Sequence, residues 1–230
     1  MSDADDQKRA AAEAAAQLLP DEGVIGLGTG TTARFFIERV GALVAAGRRL
    51  VGVPTSRASR ELAERAGIPL LPDEGPWRVD VCVDGADEVD GSLCLIKGGG
   101  GALLREKIVN GAAAVNLIVV DRPKLSPRLG TRWPVPVEIA PFGHRAVAQR
   151  LAAFGRPVLR ERDGAPFVTD GGHYIYDLHC GVIDDPAALE RELDAVAGVV
   201  ETGLFVGRAT SLLIADAHGV ERRDAPPAAR

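Results

Sequence analysis

Cysteine is scarce in this chain. Cys82, Cys94 and Cys180 make an odd count with no C-x-x-C spacing. That excludes a disulfide framework, so buried reduced thiols are the reading, with Cys82 and Cys94 placed inside expected strands. The four histidines, His144, His173, His179 and His218, show neither H-x-x-x-H nor H-E-x-x-H spacing, and nothing supports a zinc site. Positive charge is also in short supply: 27 Lys and Arg stand against 32 Asp and Glu, giving a net charge of −5 and a pI near 5.5. Without a dense basic stripe the chain offers no surface for nucleic acid or anionic membrane. No apolar run approaches the roughly 18 residues that read as a membrane span. The acidic, alanine-rich start lacks the basic and apolar regions of a secretory signal, so a cytoplasmic protein is expected. A G-x-x-x-x-G-K-[ST] match is missing too, which disfavours a P-loop triphosphatase.

What the sequence does hold is concentrated between Val79 and Val109, VDVCVDGADEVDGSLCLIKGGGGALLREKIV. Val79 to Val83 is a run of strand length ending in Asp84, Asp87, Glu88 and Asp90. After a turn at Asp90-Gly91, Leu93 to Ile96 reads as a second short strand and delivers Lys97 into Gly98, Gly99, Gly100 and Gly101. Consecutive glycines are entropically costly, and fit a place where backbone approaches a ligand or takes positive φ. A helix follows from Ala102, with Leu103, Leu104, Ile108 and Val109 on its apolar side and Glu106 just past the loop.

In chain order, Asp6 to Leu19 is an alanine-rich helix ended by Pro20, and Val24 to Leu27 a buried strand. Gly26-Leu27-Gly28-Thr29-Gly30-Thr31-Thr32-Ala33 then joins this strand to a helix carrying Phe35, Phe36, Val40 and Leu43. That is the strand–loop–helix context of anion binding, and the threonine hydroxyls suit a phosphate monoester. Leu50 to Val53, Ser56 to Ala66, Ile68 to Leu71 and Leu117 to Val120 continue a β/α alternation, which predicts a mostly parallel, Rossmann-like sheet. Asp121 and Lys124 follow the last of these strands, where ligand sites in such sheets lie. At Gly130 the texture changes, with Pro134, Pro136 and Pro141 marking a crossing. The next elements are Val135 to Ile139, Gly143 to Phe154, Pro157 to Arg160, Phe167 to Leu178, Pro186 to Val196 and Val199 to Val206. They spell βαββαβ, the ferredoxin-like arrangement. Ser211 to Ala215 is a strand able to rejoin the first sheet. The expected division is therefore residues 1–130 plus 207–230 as a Rossmann-like α/β domain, with 131–206 as an inserted ferredoxin-like α+β domain. The Pro/Ala-rich residues after Arg222 are expected to fray.

Each motif has a plainer reading when taken alone. Gly28, Gly30 and Ala33 satisfy G-x-G-x-x-A, yet the acid that should hold a ribose hydroxyl about twenty residues on is missing. Nothing acidic lies between Glu38 and Glu61. Glycines merely tightening a strand–helix turn are the plainer, less favoured reading of that loop by itself. A glutamate within LREK is ordinarily a solvated helix residue, and Asp84 and Asp87 are ordinary turn formers. The combination is harder to dismiss, because acids, lysine, tetraglycine and glutamate all fall at element ends within one short stretch.

With GLGTGTTA, DGADEVD and KGGGGALLREKIV in register, the sequence resembles the ribose-5-phosphate isomerases of the A type. Lys8, Pro54 to Ser56, Lys124 after VVD, VPVEIAP at Val135 to Pro141 and GLFVGRA at Gly203 to Ala209 extend the resemblance nearly end to end. One departure is Thr31, where many members carry serine; the hydroxyl is kept. The resemblance implies an aldose–ketose isomerase acting on ribose 5-phosphate and ribulose 5-phosphate, a non-oxidative pentose phosphate step. It implies no cofactor and a homodimer or homotetramer. It also implies Glu106 as catalytic base, with Asp84, Asp87 and Lys97 in the chemistry. Substrate would be held by Lys8, Thr29, Gly30, Thr31, Thr32, Asp84, Gly85, Ala86, Asp87, Lys97, Gly98, Gly99, Gly100 and Lys124. The rival reading is a sugar-phosphate sensor of related fold, which keeps the phosphate loop and should lack the base.

Overall fold

The computed structural model describes residues 3–225, so most of the tail expected to fray lies outside the described residues. The chain opens with α1 (Asp3–Gln17), whose Ala11, Ala12, Ala15 and Ala16 are buried. Small side chains on that face let the helix come close to its neighbours. β1 (Glu22–Leu27), α2 (Thr31–Ala45), β2 (Arg49–Pro54), α3 (Arg57–Arg65) and β3 (Val79–Asp84) follow in βα alternation. Next come β4 (Glu88–Val89), β5 (Leu95–Ile96), α4 (Leu103–Gly111), β6 (Ala113–Asp121) and a 3-10 turn over Arg122–Lys124. The middle of the chain gives β7 (Val135–Ile139), α5 (His144–Leu151), β8 (Arg156–Leu159), the small hairpin β9 (Glu161–Arg162) and β10 (Ala165–Pro166), then β11 (Tyr174–His179). It closes with α6 (Pro186–Asp194), β12 (Val199–Thr202), β13 (Leu204–Phe205), β14 (Ser211–Asp216) and β15 (Gly219–Asp224).

Packing divides these elements into two compact units. The first runs to Gly85, resumes over Arg105–Pro123 and returns at Arg208. It holds a six-stranded sheet of order β15-β14-β6-β3-β1-β2, parallel except for the edge strand β15. Its core joins Ile25, Leu27, Phe36, Val83, Leu117 and Leu213 with the alanine face of α1. β14 lies between β6 and β15, so the chain's last strands do rejoin the first sheet.

The second unit comprises Ala86–Leu104 and Lys124–Gly207. Its main sheet, of order β12-β7-β11-β8, is antiparallel and combines with α5 and α6 in the ferredoxin-like βαββαβ order. Val135, Val137, Ile139, Leu151, Leu178 and Leu193 form its core. A small sheet of order β13-β5-β4 belongs to the same unit. Residues 86–104 therefore pack with 124–207, whereas the change of texture at Gly130 suggested a boundary further on. Two contacts account for this: β5 pairs with β13, and buried Glu88 accepts the backbone N–H groups of Gly130, Arg132 and Trp133 at 3.0, 3.2 and 3.3 Å.

Several local expectations change. The strand expected at Ile68–Leu71 shrinks to one bridge between Gly52 and Leu70. Phe167–Leu178 is broken by the turn at Asp170-Gly171-Gly172, and only Tyr174 onward is strand. Arg223 and Asp224, expected to fray, pair with β14. Cys94 falls just outside β5 and, like Cys180, is half-buried; only Cys82 is a fully buried thiol in a strand. Ile108, expected on the apolar side of its helix, is 51% exposed.

Candidate active site

In the first unit, the carboxyl end of β1 turns into α2 through Gly28, Thr29 and Gly30. Gly28 donates its N–H to the Val83 carbonyl at 3.0 Å, which brings the turn against the end of β3. There Asp84, 4% exposed, accepts from Thr29 N–H at 3.0 Å and Gly85 N–H at 2.8 Å through Oδ1. Gly30 is the N-cap of α2 with φ 109° and ψ −176°, and no side chain caps the helix. This conformation belongs to glycine, and it leaves the helix start to an external acceptor such as a phosphate. Thr31 is exposed beside it, while Thr32 and Asp84 border one small crevice with Ala12 of α1, one turn on from half-buried Lys8. A hollow of about 480 Å³ adjoins the loop, with Gly28, Thr29, Gly30, Thr31, Arg34 and Arg65 in its wall. Its size suits a small ligand.

Thr29 does not offer its hydroxyl to that hollow alone. Its Oγ1 lies 2.7 Å from Thr55 Oγ1 and 2.9 Å from Ser56 Oγ, and Ser59 donates to the Gly28 carbonyl at 2.6 Å. This buried hydroxyl cluster fixes the loop from behind. Thr55, Ser56 and Ser59 were not among the site residues read from sequence. The available signal was the PTSRAS run, whose Ser56 caps α3 by accepting from Ser59 N–H at 3.0 Å. Arg34 and Arg65 were also missed, because a surface arginine on a helix carries no sequence mark of what it faces.

Glu106 lies in the first turn of α4 and is only 4% exposed, and its neighbour Lys107 only 6%. The surface position that LREK suggests in isolation is therefore not what the helix adopts. The exposed position is taken by Ile108.

The second unit carries the tetraglycine loop. Lys97, 3% exposed, donates its N–H to the Gly203 carbonyl at 2.8 Å, and its ammonium stands 5.4 Å from the Phe205 ring centroid. Gly98 and Gly101 have φ 100° and 83°, which only glycine adopts readily. Gly99 donates its N–H to Asp87 Oδ2 at 2.7 Å, and a Cβ there would meet Asp87 Oδ1 at 2.7 Å. Asp87 and the glycine loop are thus brought together. Lys124 stands elsewhere in this unit, half-buried on the 3-10 turn with its ammonium 5.0 Å from the Trp133 ring centroid. Gly85 and Ala86 are half-buried where the chain passes from one unit to the other. Among the described residues no group of three or more His, Cys, Asp or Glu is placed to hold a metal ion, and no helix is long and apolar enough to cross a membrane.

A glycine turn and carboxylates at the carboxyl ends of parallel strands define an α/β protein arranged for a small anionic ligand. Comparison with known proteins is more specific. A family model described as ribose 5-phosphate isomerase A (phosphoriboisomerase A) matches residues 51–219. A curated ribose-5-phosphate isomerase A of Gloeobacter violaceus is 49% identical, over 95% of this chain and 96% of that protein. Among solved structures, the ribose 5-phosphate isomerase A of Methanocaldococcus jannaschii superposes with a TM-score of 0.90 at 39% identity, covering 95% of this chain and 98% of that one. A D-ribose-5-phosphate isomerase solved in complex with phospho-erythronic acid gives a TM-score of 0.93 at 38% identity, covering 97% and 100%. The chain belongs to the ribose 5-phosphate isomerase A family.

Proposed function

We propose that this chain interconverts D-ribose 5-phosphate and D-ribulose 5-phosphate, with Glu106 as the base. The observation that carries the reading is the burial of Glu106 at 4% exposure, directly after the tetraglycine loop, in a chain related end to end to isomerases. The Glu106 carboxylate takes the proton from C2 of the open-chain aldose. The C2–H electron pair forms the C1–C2 double bond, and the carbonyl electrons move onto O1, giving an enediolate. Glu106 returns the proton to C1 as the C2 carbonyl forms, and the O2 hydroxyl proton is carried to O1, which leaves the ketose with its C1 hydroxyl. Charge develops on the sugar oxygen during this step, where preorganised donors contribute most. Lys97 and the N–H groups of the glycine loop supply them. Either Asp84 or Asp87 moves the hydroxyl proton that opens the ring or accompanies enediol formation. The phosphate is held by Thr31, Thr32 and the start of α2, with Gly30 supplying backbone and Thr29 shaping the loop. Lys8, Gly85, Ala86, Gly98, Gly99, Gly100 and Lys124 complete the binding set. The reaction is a step of the non-oxidative pentose phosphate branch, carried out in the cytoplasm by a homodimer or homotetramer whose mass light scattering would report.

The test is the appearance of ketopentose absorbance from ribose 5-phosphate, in buffer with EDTA, for wild type and Glu106→Gln. The amide keeps the shape and removes the base. A loss of at least about a hundredfold, the lower end for general base catalysis, with phospho-erythronic acid still bound, is expected. An inactive wild type that binds sugar phosphate would point to a sensor, and an active variant would move the proton shuttle to Asp84.

A further inference from the structure

The tetraglycine loop is gripped from the side opposite Asp87. Arg160, the residue after β8, donates Nη1 to the Gly98 carbonyl at 2.8 Å and to the Gly99 carbonyl at 3.3 Å. Its remaining edge is a fork on Asp177 of β11, with Nε at 2.9 Å from Oδ2 and Nη2 at 2.5 Å from Oδ1. Both side chains are largely buried, at 16% and 21% exposure. Phe167 completes the grip: its N–H bonds the Arg160 carbonyl at 2.8 Å, and its ring fills the space that a Cβ on Gly101 would occupy, 2.4 Å away.

A trans peptide is planar, with its C=O and N–H on opposite sides. Two successive carbonyls turned toward one guanidinium therefore turn the N–H groups of Gly99 and Gly100 the other way. For Gly99 the result is visible, since its N–H reaches Asp87 Oδ2 at 2.7 Å. For Gly100, exposed at the tip, the same planarity turns the N–H away from Arg160, since the Gly99 carbonyl points to it. Glycine peptides reorient easily because no Cβ opposes it, so a loop of four needs an outside constraint to keep its donors aimed. A cation on the carbonyl side also polarises the peptide and strengthens the N–H as a donor.

We infer that Arg160, locked by Asp177, is a positioning residue of the reaction, holding the Gly98–Gly99 and Gly99–Gly100 peptides so that their N–H groups face Asp87 and the charge developing on the sugar. The inference rests on the isomerase reading above. Arginine is required because the task needs a planar fork with donors on two edges, which an ammonium lacks.

The experiment measures kcat and KM for ribose 5-phosphate in wild type, Arg160→Ala and Arg160→Lys, with and without added ethylguanidinium. Misaimed donors lower kcat by about tenfold to a hundredfold, with KM changing less. Lysine does not restore the rate, and ethylguanidinium restores part of it in Arg160→Ala with saturation. Restoration by a free guanidinium is a result that general destabilisation would not give. An active wild type with Arg160→Ala within twofold of it, or a loss unmoved by ethylguanidinium, overturns the inference alone. If the alanine variant does not fold, an Arg160→Lys variant with wild-type kcat overturns it equally. A wild type inactive on ribose 5-phosphate overturns the isomerase reading and this inference with it.

Discussion

At Gly28 the first methyl of any larger side chain would lie 2.2 Å from Asp84 Oδ1 and 2.6 Å from the Val83 carbonyl oxygen. Neither neighbour can retreat: the carboxylate is held by Thr29 and Gly85 N–H groups, and the carbonyl already accepts Gly28 N–H. Gly28→Ala should therefore destabilise the protein by about 1–3 kcal/mol, the usual range for overpacking, and lower isomerisation by moving Asp84. Gly30 fails for another reason. A Cβ there meets nothing, but φ 109° with ψ −176° is glycine's alone, so Gly30→Ala should also cost about 1–3 kcal/mol through backbone strain. Urea denaturation of the two variants, read beside sugar-phosphate binding, separates the causes. Moving Asp84 should hurt catalysis more than phosphate binding, whereas respacing the start of α2 should hurt binding first. The glycines themselves were legible as chemistry, since their spacing marks a strand–loop–helix turn. Their separate duties were not, because the clash at Gly28 comes from a residue more than fifty positions away.

Short elements that a hydrophobic period cannot reveal are held by side chains. β4 spans only Glu88–Val89, yet Glu88 is fully buried and its carboxylate accepts N–H groups from Gly130, Arg132 and Trp133. Glu88→Gln places an amide donor among donors. It should destabilise the protein by about 1–3 kcal/mol, the penalty for a buried polar group left unsatisfied. Hydrogen exchange at Gly130 and Trp133 should quicken relative to β7; unchanged protection at these amides would contradict the role. The same contrast explains what the sequence disclosed. β3, β7 and β14 were readable because each is a mostly apolar strand of five or six residues with turns at its ends. The βαββαβ order followed from such runs and the helical stretches between them; the Asp185 cap of α6, which accepts from Ala188 N–H, is seen only in the structure. β4 and β13 are two residues each, and of the short strand read at Leu93 to Ile96 only Leu95–Ile96 forms; pairs this short do not name their partners, and so the packing of residues 86–104 with 124–207 was hidden. β15 was missed because its charged residues bond across the hairpin in place of an apolar face, as in the Ser211–Asp224 pair at 2.6 Å. Glu106 was legible by its motif and illegible in its burial, since no periodicity tells a buried glutamate in LREK from a solvated one.

For the molecule as a whole, charge and thiol chemistry set how it should respond to pH. Burial pushes the Cys180 thiol up to about 11, and burial followed by the Asp90 charge raises Cys94. Thiolate is the reactive form, so iodoacetamide should label these two cysteines slowly near neutral pH and faster as pH climbs toward 11. On the acid side the ion pairs at the β14–β15 hairpin make a contribution. Arg122 bonds Asp216 at 2.7 Å and Glu221 at 2.9 Å, and Arg222 bonds Asp224 at 2.8 Å. The His218 N–H and Arg122 lower the Asp216 pKa, Arg223 and Arg122 lower that of Glu221, and Ser211 and Arg222 lower that of Asp224. A carboxyl depressed in the folded state contributes stability that is complete above its unfolded pKa, roughly 4. That contribution is lost as pH falls through the lower folded value. All of these groups lie at the surface, where salt screens them, so the effect should be small and should shrink further in high salt. Arg122→Met removes the partner shared by Asp216 and Glu221. Its stability in urea should therefore fall less steeply than wild type between about pH 5 and pH 3, with the curves converging at the acid end. Parallel curves at low ionic strength would mean that the hairpin's charges are held no differently in the folded and unfolded chains, and acid sensitivity would then have to come from carboxylates elsewhere.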